Sequence, residues 1–157
     1  TRESERTLKS GRFVDVSMIT WAFAMTGHGD ASFFSEASAV TRAECPNLPP
    51  RSLAGISWAM AKARHRDPRL FELISRRALE TAEDFVAHDV AALCWAFAAA
   101  QVPDRPLFDA MARRLLAPDP KHGSLVQRLS PPLAAELAWG FAAAGAQHAA
   151  LFEAQDT

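Results

Sequence analysis

Four tryptophans set the register of this chain. Trp21, Trp58 and Trp95 are each 37 residues apart, and Trp139 follows Trp95 by 44. Self-similarity at an interval of about 20–50 residues marks a stacked repeat architecture, in which no unit can bury its apolar face alone. Ile19, Ile56, Leu93 and Leu137 stand two places before each Trp. Ala22, Ala59, Ala96 and Gly140 follow it directly, then Phe23, Met60, Phe97 and Phe141, then Ala24, Ala61, Ala98 and Ala142. Twelve and thirteen places on come Phe33-Phe34, Leu70-Phe71, Leu107-Phe108 and Leu151-Phe152. The longer last interval holds a Pro- and Gly-containing insertion around Ala117 to Gly123.

Each copy reads as two helices. The first spans about six residues either side of Trp, with apolar positions at helical spacing and small residues that admit a close neighbour. Asp15, Ser52 and Asp89 are its expected N-caps, and Ser130 ahead of Pro131 serves the fourth copy. The second helix begins at Asp30, Asp67 and Asp104, whose carboxylates suit the free amides of a first turn. Its Leu-Phe pair is expected to pack back on the first helix.

The expected fold is therefore all-α: a right-handed α-solenoid of about four helix-turn-helix repeats of 37 residues. Residues 1–12 form an N-terminal extension and 13–157 one domain, with repeats at about 13–47, 48–84, 85–128 and 129–157, the last truncated. The expected repeat core is Trp21, Phe23, Phe34, Trp58, Met60, Phe71, Trp95, Phe97, Phe108, Trp139, Phe141 and Phe152. On that register Trp95→Ala empties a buried aromatic site, at a cost of about 3–5 kcal/mol. Since the chain opens on Thr1 and the fourth copy stops short, it is expected to be processed or part of something longer.

The segment Leu93-Cys94-Trp95-Ala96-Phe97-Ala98, with Asp104 and Leu107-Phe108 behind it, resembles the octotricopeptide repeat. Ile56-Ser57-Trp58-Ala59-Met60-Ala61, Ile19-Thr20-Trp21-Ala22-Phe23-Ala24 and Leu137-Ala138-Trp139-Gly140-Phe141-Ala142 are further copies. The likeness runs roughly from Phe13 to Phe152 and extends to heptatricopeptide-type and RAP-associated repeats. It implies a protein of chloroplasts or mitochondria that binds single-stranded RNA in transcript stability, processing or translation. Some such repeats are instead fixed, non-catalytic subunits of a large organellar complex, such as a ribosome or a membrane-protein supercomplex.

Candidate contacts to RNA or an acidic partner follow from the cations. Arg76-Arg77 and Arg113-Arg114 share one repeat position and would stack as a two-rung ladder along successive phosphates. The alternative is a pair of helix C-termini carrying the cations that the dipole favours. Lys62, Arg64, His65, Arg66 and Arg69 crowd the turn of the second copy, as a phosphate contact or as a solvated loop. Base reading needs polar side chains at equivalent exposed positions, and only Lys62, Arg64 and Gln101 qualify. A net charge of −1 counts against a chain devoted to polyanions and favours the scaffold reading; the resemblance favours RNA.

No enzyme is expected. Asp30, Asp67 and Asp104 are better explained as caps than as acid–base groups, and the histidines lack any metal-ligand spacing. Cys45 and Cys94 are expected to be plain thiols, with no metal, cofactor or small-molecule substrate. The longest apolar run, Val90 to Ala100, is far short of the roughly 20 residues needed to span a bilayer.

Overall fold

The computed structural model describes residues 20, 22–23, 27, 30–121 and 123–145. Among them the chain is all-helical, without strands. Six α-helices follow in order: α1 (Ala31–Glu44), α2 (Pro50–Lys62), α3 (Pro68–Glu80), α4 (Ala87–Ala99), α5 (Arg105–Leu116) and α6 (Pro131–Ala143). Short 3-10 turns at Cys45–Asn47, Ala82–Asp84 and Leu125–Arg128 lead into α2, α4 and α6. Trp21, Phe152, Asp15, the extension at 1–12 and the second helix of the fourth copy lie outside the described residues.

The helices form two rows. In one, α2 packs on α4 and α4 on α6; in the other, α1 packs on α3 and α3 on α5. The rows meet where α2 contacts α3 and α4 contacts α5. Composition explains which row is which. Helix α4 is apolar nearly all round, with Val90, Ala91, Leu93, Cys94, Ala96, Phe97 and Ala98 buried, as a helix with neighbours on several sides must be. Helix α3 is strongly one-sided: Leu70, Phe71, Ile74 and Ala78 are buried while Glu72, Arg76 and Glu80 face solvent.

Small residues set the spacing of the first row. A Cβ built on Gly140 of α6 would lie 3.4 Å from the carbonyl carbon and oxygen of Cys94 in α4. The two backbones thus meet with nothing between them. Ala59 and Ala96 hold the same repeat position and are fully buried. The rows are joined by phenylalanines: Phe71 of α3 meets Phe97 of α4 at 4.9 Å and 72°, and Phe108 of α5 meets Phe141 of α6 at 4.9 Å and 85°. These edge-to-face pairs suit the aromatic quadrupole. They run from a second helix forward onto the first helix of the next copy, not back within the hairpin.

The caps repeat as closely as the core. Asp30, Asp67 and Asp104 accept from the amides of Phe33, Leu70 and Leu107 at 2.8, 3.0 and 3.1 Å. Helix α6 starts at Ser130 as its sequence suggests, whereas α2 and α4 start earlier than theirs. The three N-caps are Pro49, Val86 and Ser130, and only Ser130 caps with its side chain, accepting from Leu133 at 3.4 Å. Ser52 and Asp89, expected as caps, sit inside the first turn. Proline at Pro50 and Pro131, which lacks an amide to satisfy, opens two of these helices. Each first-row helix then closes at one repeat position in the left-handed conformation: Arg64 (φ 57°), Gln101 (φ 58°) and Gly145 (φ 72°). The amides of His65 and Val102 reach back to the carbonyls of Met60 and Phe97 at 2.9 Å, completing a Schellman cap.

Candidate ligand surface

The expected core holds for Phe34, Met60, Phe71, Phe97, Phe108 and Phe141, all buried, while Phe23 is half-buried against them. The tryptophans differ. Trp58 and Trp95 are only half-buried and Trp139 is 49 % exposed. The cause is the close approach seen at Gly140: where backbones touch, no indole fits between the helices. The rings turn outward and lie on one another, Trp58 to Trp95 at 5.9 Å and Trp95 to Trp139 at 6.3 Å, each pair inclined by 34°. They form a continuous aromatic strip across α2, α4 and α6.

Helical spacing puts polar groups on the same stripe. Lys62 lies one turn beyond Trp58 and Arg51 two turns before it, both exposed. His88 lies two turns before Trp95, and Glu136 one turn before Trp139. Partial burial pushes the carboxyls of Asp89 and Glu136 above the usual carboxylate range; His88 opposes the rise at both, and Arg51 at Asp89. The strip is therefore aromatic in the middle and of mixed charge at the helix N-termini.

At the other end, where α2 finishes, the charge is basic. Lys62, Arg64 and Arg66 are exposed, and none pairs with an acidic group among the described residues. His65 is half-buried with its ring 6.2 Å from that of Phe34. Arg69 is exposed but engaged by Glu72 at 3.1 Å. Arg64 and Gln101 are both exposed at their left-handed positions, at the ends of adjacent helices.

The four-arginine ladder is corrected by the structure. Arg77 Nε donates to the carbonyl of Leu48 at 3.0 Å, and Arg114 Nε to that of Phe85 at 2.8 Å. Both span 29 residues, and both fasten the end of a second helix to the connector that opens its own repeat. The buried carbonyls of Leu48 and Phe85 would otherwise lack this partner, so these two arginines are structural. Arg76 and Arg113 remain on the outer face; Arg76 is exposed and lies 3.6 Å from Glu72.

Two contacts lie outside what the sequence pattern indicated. Arg42 of α1 pairs with Asp67, the cap of α3, tying neighbouring second helices together. The tryptophan strip is the other. Its signal was present in the stripe Arg51–Trp58–Lys62, where seven- and four-residue steps put charges on the tryptophan's own face. Cys45 and Cys94 are buried free thiols; burial pushes Cys45 up to about 11 and Cys94 further still. Among the described residues no three His, Cys, Asp or Glu side chains gather as a metal site, and no helix is long and apolar enough to cross a membrane. A cavity of about 90 Å3 beside Asp104, Arg105 and Phe108 is small against the roughly 300–1,000 Å3 of a typical ligand pocket.

Comparison with protein-family models finds none that matches the chain, and comparison with curated proteins likewise finds no match.

Proposed function

We propose that this chain is a stretch of right-handed α-solenoid, about four octotricopeptide-like repeats long, that binds single-stranded RNA along the row α2–α4–α6. The observation that carries the reading is the tryptophan strip, with cations at its edge that pair with no acidic group among the described residues. Single strands are held by stacking on aromatic side chains and by cations that follow the backbone; helical-repeat readers present one base per repeat. Lys62 and Arg66 are the phosphate contacts, with Arg76 and Arg113 on the outer row as lesser ones. The resemblance supports a non-catalytic role for such a module in organellar gene expression, in a chloroplast or mitochondrion.

The test is filter binding of the chain to a mixed pool of single-stranded RNA at two salt concentrations. Two phosphate contacts on a single strand give a slope of roughly −1.4 in log K against log salt. Replacing Lys62 and Arg66 with Ala flattens it. Absence of binding at low salt rules the reading out.

A second reading has its own observation. Glu136 places a carboxyl on the strip and Asp89 another beside His88 and Arg51, which repels RNA but suits a protein partner. On that reading the chain is a non-catalytic scaffold subunit of a large organellar complex, and it co-purifies with that complex after ribonuclease treatment.

A further inference from the structure

We infer that Arg64 and Gln101 are base-reading positions, taking guanine and adenine respectively on two neighbouring nucleotides. This rests on the RNA reading above. The argument starts from the backbone. Both residues sit at the same point past the end of a first-row helix, with φ of 57° and 58°, while Gly27 and Gly145 fill that position in the other copies at φ 70° and 72°. Left-handed backbone is disfavoured for any residue with a Cβ, and helices that end this way commonly use glycine or asparagine. Arginine and glutamine are thus placed there against local preference.

Packing does not repay them. Both side chains are exposed, and neither makes a hydrogen bond or ion pair among the described residues. Strain held without a structural return is a pointer to function. Their chemistry is complementary to base edges. The guanidinium presents two parallel donors, matching the O6 and N7 acceptors of guanine, and the carboxamide presents one donor and one acceptor, matching N6 and N7 of adenine. Since α2 packs directly on α4 and Trp58 on Trp95, the two residues stand at the ends of neighbouring helices in the row that carries the tryptophan strip. Bases unstacked along that strip would present their edges to them.

The experiment measures binding of the full chain to short oligouridylates, one series uniform and one carrying a single central GA or AG step. Tighter binding to the oligonucleotide with a purine step, by about tenfold, is expected, with one of the two step orders preferred. Arg64→Gly and Gln101→Gly abolish that preference and raise the melting temperature, so stability and recognition move in opposite directions. Arg64→Lys retains affinity for uniform oligouridylate but loses the guanine preference, because a single ammonium lacks the fork. If both glycine variants keep the wild-type preference, the inference is overturned while the RNA reading stands. If the wild-type chain binds neither series at low salt, both fall together.

Discussion

At Arg64 and Gln101 the backbone asks for glycine, which makes the cost of the side chain measurable. A left-handed residue with a Cβ is disfavoured by about 1–2 kcal/mol, and glycine returns part of this as unfolded-state entropy. Arg64→Gly is therefore expected to gain about 0.5–1 kcal/mol in urea denaturation, with an unchanged slope. Glu136 offers a pH test. Its folded pKa is raised by burial, so the folded state binds more protons than the unfolded chain just above the ordinary carboxylate range. Stability then falls as pH rises through that window. Glu136→Gln should be the more stable protein at neutral pH, and the advantage should vanish on acidification below the unfolded value. A third residue revises an expectation. Trp95 is half-buried in a stack, so Trp95→Ala should cost about 2 kcal/mol, less than the 3–5 expected for the fully buried Phe97→Ala.

Between helices, the repeat supplies its own controls. Asp67 and Asp104 cap α3 and α5 alike, but only Asp67 also receives Arg42. Asp104→Ala should cost about 1 kcal/mol, and Asp67→Ala more by under about 1 kcal/mol, since Arg42 is substantially exposed. Arg114→Ala leaves the carbonyl of Phe85 without its partner and should cost about 1–3 kcal/mol by thermal melting. Gly140→Ala should be tolerated, as alanine fills the same position in α2 and α4, whereas Gly140→Leu should separate α6 from α4 and remove cooperative melting. These elements divide what the sequence discloses from what it conceals. The Asp caps and the burial of the phenylalanines were legible because each is local or recurs at the period of the tryptophans, but the forward pairing of Phe71 with Phe97 and Phe108 with Phe141 was not. The starts of α2 and α4 were not: Pro49 and Val86 cap without a side-chain acceptor, while Ser52 and Asp89 three residues later carry the polar side chains a cap usually has. Nor were Arg77 and Arg114, since a bond spanning 29 residues to a carbonyl has no signature in composition. The tryptophans were found by their period and misplaced by their hydrophobicity, because burial depends on how closely two backbones approach.

Among the described residues each helix touches its neighbours in its own row, and α2 and α4 also touch α3 and α5 across it, so stability is distributed rather than pooled in one centre. The stretch of chain between α5 and α6 bears on how such a stack tolerates change. The seven extra residues, Ala117 to Gly123, precede the 3-10 turn at Leu125–Arg128, held by Lys121 and Gly123 amides bonded to Asp119 and by Gln127 bonded to Ser124. Downstream, Phe141 still meets Phe108 and Trp139 still meets Trp95. Chain length at this joint is thus decoupled from the pitch of the stack, as slack in a hinge pin leaves the leaves of a hinge aligned. Evolution and engineering alike can lengthen the polypeptide there and leave every ring in its place.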